Sequence, residues 1–293
     1  MALSFIAEEI TTPPVPSATV MVVRDGAAGL EVLMVRRHGN AGVLGGAHVF
    51  PGGKLDPTDA VDDAGALDLP PEDCARRLSE PGLPVADAVA LHVAALRETW
   101  EEVGLFIGHG PVAEAEHRTL AARLDGGHSW PQAMASLGRV LPVSSLMPWS
   151  RWVTPRRPSV SSRRFDTRFF LAVAPAGQTA LHDGHEATEA VWLSPRRALE
   201  RFWDDDIDLA PPQIMSLMEL TRLPGVGAAR AYAAARTPPL IEPHPFDRDG
   251  CRVICYPGDP EHPVPQAAWT GPTRLTRRRQ RFEPDGGLAA LLD

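Results

Sequence analysis

The stretch Arg97-Glu98-Thr99-Trp100-Glu101-Glu102-Val103-Gly104-Leu105 decides how the rest of this 293-residue chain is read. Residues three and four apart share a helical face, so on a helix Glu98, Glu101 and Glu102 converge within about one turn. Three clustered anions repel one another unless a cation sits among them, and a divalent metal is the obvious cation. Oxygen-only ligands favour a hard ion, Mg²⁺ or Mn²⁺, and Mg²⁺ binds through few carboxylates plus substrate phosphates. Taken alone, a charged run of this kind is most often a solvated helix face. Two neighbours weigh against that. Gly104 follows at a helix-stopping position, and Phe50-Pro51-Gly52-Gly53-Lys54-Leu55-Asp56 lies upstream. The latter reads as a strand end followed by a loop whose glycines let backbone approach a ligand.

Working outward, the periodicities switch between sheet and helix. Residues 17 to 24 and 30 to 37 alternate like two strands of a hairpin joined by Asp25-Gly26, with Gly29 completing the turn. Residues 48 to 50 read as a short strand. Residues 56 to 84, rich in Pro, Asp and Gly, read as an insert with a short helix over 71 to 79. The pattern then predicts a helix over 86 to 103, on which Val89, Val93, Leu96, Trp100 and Val103 form a core-facing stripe opposite the glutamates. Downstream, 165 to 174 and 187 to 193 are strand-like, while 195 to 203 and 211 to 222 look helical, with Pro195 and Pro211 at first-turn positions. Residues 1–234 are therefore expected to form one domain with its insert at about 60–85. Residues 235–293, where Pro, Arg and Gly dominate around one strand candidate at 252 to 256, form an extension packed on or tethered to it.

Composition narrows the class. With 44% apolar and 23% charged residues, the chain is an ordinary globular protein long enough to bury a substantial core. A formal charge of −8 argues against a general nucleic-acid binder, which carries a basic surface. No run of apolar residues approaches the ~18 a membrane helix needs, and the acidic N-terminus, with Glu8 and Glu9, is unlike a secretory signal. Cys74, Cys251 and Cys255 fit neither a disulfide scaffold nor a zinc ribbon, so a reducing compartment is expected. The single lysine, Lys54, against abundant arginine suggests a GC-rich bacterial genome.

Gly53, five residues, Asp59, and then Arg97-Glu98-Thr99-x-Glu101-Glu102-x-Gly104-Leu105 resemble the Nudix box, the signature of hydrolases that cut diphosphates linked to another moiety. The front half departs from the pattern twice. Asp59 stands where the family has Glu, and 37 residues separate it from Arg97 where the family's spacing is much shorter. A looped-out insert leaves the strand entry and the helix intact, because closure entropy grows only logarithmically with length. Such an insert resembles the branch typified by the peroxisomal coenzyme A diphosphatase. Segments at Trp149-Ser150-Arg151-Trp152, Arg164-Phe165-Asp166-Thr167-Arg168, Val191-Trp192-Leu193-Ser194-Pro195 and Leu209-Ala210-Pro211-Pro212-Gln213 are similar to that branch as well. Unlike the peroxisomal relative, the chain ends Leu291-Leu292-Asp293 rather than in a peroxisomal address, and a cytoplasmic location is expected.

The resemblance implies an α/β/α sandwich around a mixed sheet and a metal-dependent hydrolase of a small-molecule diphosphate, coenzyme A or an acyl-CoA first. It implies that Glu98, Glu101, Glu102 and the Gly53 carbonyl hold Mg²⁺ or Mn²⁺, and that Arg97 orients a box carboxylate and pairs with Asp59 across the insert. Glu186 and Glu189 are candidates for a general base, against the blander reading of exposed loop charges. Phosphate contacts are sought among Arg36, Arg37, Arg163, Arg164 and Arg168, since a guanidinium fork matches phosphate oxygens. His48 precedes the glycine loop and is a substrate-contact candidate, although a packed imidazole is the commoner outcome. Trp149 and Trp152 are either base-stacking or core residues. An ADP-ribose or NADH pyrophosphatase and a non-catalytic nucleotide sensor are the competing functions. No membrane or nucleic-acid partner is expected, and assembly as a homodimer is left open.

Overall fold

The hairpin foreseen from the alternation lies at the centre of the molecule. A computed structural model describes residues 9–39, 45–157, 163–181, 187–279 and 281–293. Strands β1 (Val15–Gly26) and β2 (Gly29–Arg37) pair antiparallel, Val23 opposite Val32 and Gly26 opposite Gly29. The strands therefore run through Asp25 and Gly26, and the turn falls at Ala27-Ala28 instead. Next come β3 (His48–Val49), β4 (Gly52–Lys54), α1 (Pro71–Leu78) and α2 (Val85–Val103). After α3 (Glu114–Asp125) and α4 (Trp130–Ser136) the chain returns to the sheet as β5 (Met147–Val153), β6 (Phe165–Val173) and β7 (Ala187–Leu193). Helices α5 (Pro195–Trp203), α6 (Pro211–Thr221) and α7 (Val226–Ala234) follow.

The main sheet runs β3-β2-β1-β6-β5 and ends in β8 (Leu240–Ile241), with β4 pairing β1 and β7 pairing β2. The β1–β6 and β5–β8 pairs are parallel and the others antiparallel, so the sheet is mixed. Along β1 the pleat sends Ala18, Val20 and Val22 to one face and Met21 and Val23 to the other. The first face packs on Val89, Val93 and Leu96 of α2 and on Trp130 of α4. The second packs on Leu199 of α5, Ile214 and Met218 of α6 and Ala229 of α7. Each such aliphatic burial is worth about 1.5–3 kcal/mol, and a one-residue slip of β1 would reverse both faces. The α/β/α sandwich expected from the box is the observed fold. Among the described residues, no helix is long and apolar enough to cross a membrane.

Strand β5 and helices α4 and α7 are additional to the reading of the sequence, and three further features differ from it. Gly52 and Gly53 form a strand, not a loop, with Ser17 opposite Lys54 and Thr19 opposite Gly52. Helix α3 went unread because its face is weak: of its residues only Leu120 is buried. Residues beyond 235 are more ordered than their composition suggests. They supply β8 and a second sheet, β9 (His244–Arg248), β10 (Cys251–Cys255), β11 (Arg274–Arg278) and β12 (Arg281–Glu283), then α8 (Gly287–Leu292). In β11 and β12 the buried residues are few, Leu275 and Phe282, and arginines make up most of the rest, so the alternation is hidden. Trp269 from this segment stacks on Trp152 of β5 at 6.0 Å and 16°, joining the extension to the core of the main sheet.

Candidate active site

The site is built where β4 passes α2. Helix α2 ends at Gly104, whose φ of 70° is a left-handed cap. Its apolar stripe faces the sheet, leaving Glu98, Glu101 and Glu102 on the side of β4. A Cβ at Gly52 would overlap the backbone of Ala18 and Thr19, and one at Gly53 would overlap the Glu98 carboxylate, so only glycines let strand, strand and helix approach this closely. The Gly52 amide donates to Glu102 Oε2 at 3.1 Å.

Arg97 lies at the centre of the acids. It donates to Asp59 through Nε at 2.7 Å and Nη2 at 2.9 Å, to Glu98 and Glu101 through Nη1 at 2.9 and 2.8 Å, and to the Lys54 carbonyl at 3.0 Å. Burial alone would lower the Arg97 pKa; the Asp59 hydrogen bonds and the charges of Glu98, Asp59 and Glu101 more than offset this and raise it. Asp59 reaches the guanidinium despite being a methylene shorter than Glu because a tight turn at Pro57–Asp59, capped by Asp56, carries it inward until it is fully buried.

Clustered glutamates need a cation among them, and in this structure that cation is the Arg97 guanidinium. Among the described residues, no three His, Cys, Asp or Glu side chains gather as a metal cluster. Arg97 draws one oxygen from Glu98 and one from Glu101, while Glu102 turns to the Gly52 amide. The donor set nonetheless fits a hard divalent ion. One guanidinium faces three carboxylates, Glu102 adds a fourth, every donor is oxygen, and the Gly53 backbone lies against Glu98.

Beside β4 opens a cavity of about 310 Å³. Gly52, Gly53 and Lys54 form its box side, and Phe50, Trp152 and Phe169 are among its apolar walls. Gln213 lines it from α6, and Pro243, Pro245 and Ile254 close it from the C-terminal segment.

Of the arginines singled out for phosphate, Arg37 lines this cavity, and its buried Nε has no hydrogen-bond partner. Arg36 is exposed and stands opposite Glu189 in the β2–β7 pair, outside the cavity wall. Arg168 is corrected to a structural residue. It is 4% exposed and its guanidinium is taken by Glu80, at 2.5 and 2.9 Å, and by Asp166. Arg164 is buried against the Thr154 and Thr12 carbonyls. His48 is a packed imidazole away from the cavity wall: burial lowers its pKa, and Glu189 stands 3.7 Å away. Trp149 is core, donating to Glu219 at 3.1 Å, whereas Trp152 does line the cavity. Glu186 lies outside the described residues. Sequence reasoning assigned no role to Lys54, Gln213 or the C-terminal prolines; the sole lysine falling in the glycine run was the one signal that could have marked Lys54.

The family model for the NUDT19 Nudix domain matches residues 66–223, more than half of the chain. That match begins after Gly53 and Asp59, whose place in the site therefore rests on geometry. The acyl-coenzyme A diphosphatase NUDT19 of Gallus gallus is 28% identical over 302 residues, covering 89% of this chain and 80% of its own. The Homo sapiens protein of the same name is 28% identical over 246 residues, covering 72% and 65%. A crystal structure of a NUDIX hydrolase from Alicyclobacillus acidocaldarius is 32% identical with a TM-score of 0.59, covering 76% of this chain and 97% of that one. With its mixed sheet and its Arg-Glu helix against a glycine strand, the chain belongs to the NUDT19 Nudix family of hydrolases.

Proposed function

We propose that this hydrolase cleaves the diphosphate of coenzyme A or an acyl-CoA, with Mg²⁺ or Mn²⁺, giving 4′-phosphopantetheine and adenosine 3′,5′-bisphosphate from coenzyme A. The observation that carries the reading is the surplus of carboxylates around Arg97 beside a cavity large enough for part of a nucleotide. The similarity to the acyl-coenzyme A diphosphatases of Gallus gallus and Homo sapiens supports the substrate.

In this reading Glu98, Glu101, Glu102 and the Gly53 carbonyl hold the metal. A divalent ion there supplies charge neutralisation and lowers the pKa of water. Arg97 fixes the orientation of Glu98 and Glu101 through one Nη1. Lys54 and Arg37, both on the cavity wall, meet the negative charge of the diphosphate. Glu101, 39% exposed against 13% for Glu98, is the more exposed of the two and takes the proton of the attacking water as the water oxygen bonds to phosphorus and the bridging P–O bond breaks. The free thiols of Cys74, Cys251 and Cys255 suit a reducing compartment, the cytoplasm. Incubation with Mg²⁺ and coenzyme A, ADP-ribose, NADH or a dinucleoside polyphosphate tests the substrate. Turnover of coenzyme A is expected; turnover of ADP-ribose with none of coenzyme A overturns the assignment.

A further inference from the structure

A buried polar atom without a hydrogen-bond partner costs about 1–3 kcal/mol and calls for a reason. Gln213 is 7% exposed, its Oε1 has no partner, and the residue lines the cavity beside the box. Its surroundings say what it can serve. Helix α6 opens with Pro211 and Pro212, and its N-cap, Ala210, makes no side-chain bond. Neither proline carries an N–H, so this helix start lacks donors that make other helix N-termini anion sites. The cavity is lined from α6 by proline rings and one carboxamide, and from β4 by Gly52, Gly53 and Lys54. Phe50, Trp152, Phe169 and Ile254 supply apolar walls. The complementary group is a flat apolar ring with one donor and one acceptor on its edge, joined to a diphosphate.

We propose that Gln213 reads the adenine base of the substrate. The exocyclic amine donates to Oε1 while Nε2 donates to ring nitrogen N7, the bidentate pairing open to a carboxamide and an adenine but not to hypoxanthine, whose O6 and N7 both accept. The terminal torsion of glutamine is soft, so its amide turns to present both atoms. A base held here brings the attached diphosphate to Gly52–Lys54 and the glutamates behind them. The alternative occupant, a pantetheine arm, is a flexible chain with two amides, of which one carboxamide serves only one, and it loses more rotational freedom on entry. This inference rests on the substrate being an adenine nucleotide and names which half of it the cavity takes.

Calorimetric binding of AMP, IMP and 4′-phosphopantetheine to the metal-free protein tests it, since hypoxanthine replaces the amine donor with a carbonyl acceptor. AMP should bind about tenfold more tightly than IMP. Gln213→Leu, which keeps the volume and removes the orphaned acceptor, should loosen AMP to the level of IMP and leave 4′-phosphopantetheine unchanged. If that variant does not fold, Gln213→Asn, with its amide withdrawn by one methylene, should show the same loss of preference. With coenzyme A, the variant should raise KM by about tenfold with kcat little changed. Equal affinity for AMP and IMP, or a Gln213 variant that weakens 4′-phosphopantetheine and spares AMP, overturns the proposal. Base preference is read without turnover, so a wild type inactive on coenzyme A defeats the substrate reading while AMP against IMP still decides the role of Gln213.

Discussion

Two arginine networks lie against the same sheet, and their charges balance differently. Beside β5 and β6, Arg151 and Arg168 share Glu80 and Asp166, with contacts between 2.5 and 3.0 Å, two guanidiniums against two carboxylates. On α2, Arg97 alone faces Asp59, Glu98 and Glu101, and Glu102 stands nearby on the Gly52 amide. The first network is closed: every charge has its opposite, and its work is to tie the insert to the sheet. The second carries surplus negative charge next to a cavity, a state that repels itself unless more positive charge arrives. Charge balance, rather than burial or bond count, separates the structural cluster from the chemical one.

The largest expected effect breaks the comparison at its chemical end. Glu101→Gln should lower hydrolysis by about 1000-fold, the several kcal/mol that a metal-assisted step supplies, with the fold retained by circular dichroism. Full activity in that variant would put the acids outside the chemistry. At the structural end, Glu80→Gln leaves two guanidiniums to one carboxylate and should cost about 3–5 kcal/mol in urea unfolding, as loss of one partner from a buried pair does. An unchanged midpoint would show that the network is not closed.

Helix α2 also carries a buried neutral group, which separates acid sensitivity from the charge clusters. Burial holds the folded pKa of His92 down at about 4, against 6.5 when unfolded, while its Nδ1 stays within hydrogen-bond reach of the Ala88 carbonyl. Between those values the unfolded chain binds a proton that the folded one refuses. Stability should therefore be intact above pH 6.5 and fall by roughly 3 kcal/mol as pH drops toward 4. Urea midpoints from pH 7 to 4.5 measure this, and His92→Leu should flatten the slope. The smallest effect contrasts with that of Glu80→Gln: without metal, Glu101→Gln removes one surplus charge and should leave stability unchanged or raise it by about 0.5 kcal/mol.

How much was legible follows from the range of each interaction. Arg97 and Glu101 are four residues apart, so their meeting could be read from helical spacing, as could the stripe of Val89, Val93 and Leu96. The β1–β2 hairpin and α1 were equally local. Arg168 and Glu80 are 88 residues apart and join only because the insert folds back on β6, so no spacing rule assigns Arg168 to structure rather than substrate. Gln213 lines the same cavity as the Gly52 strand through tertiary packing alone. Of the C-terminal sheet only β10, read as a strand over 252 to 256, was legible, because arginines on β11 and β12 hide the alternation around Leu275 and Phe282. Even at the box, spacing revealed Arg97 beside Glu101 but not that the same Nη1 would also hold its chain neighbour Glu98.

The central claim is that the surplus acids around Arg97 hold a divalent cation. Calorimetric titration of Mn²⁺ into the wild-type protein and into Glu101→Gln tests it without substrate or turnover. Saturable binding to the wild type, weakened at least about tenfold in the variant, is the predicted result. No binding to the wild type, or equal binding to both proteins, would contradict it.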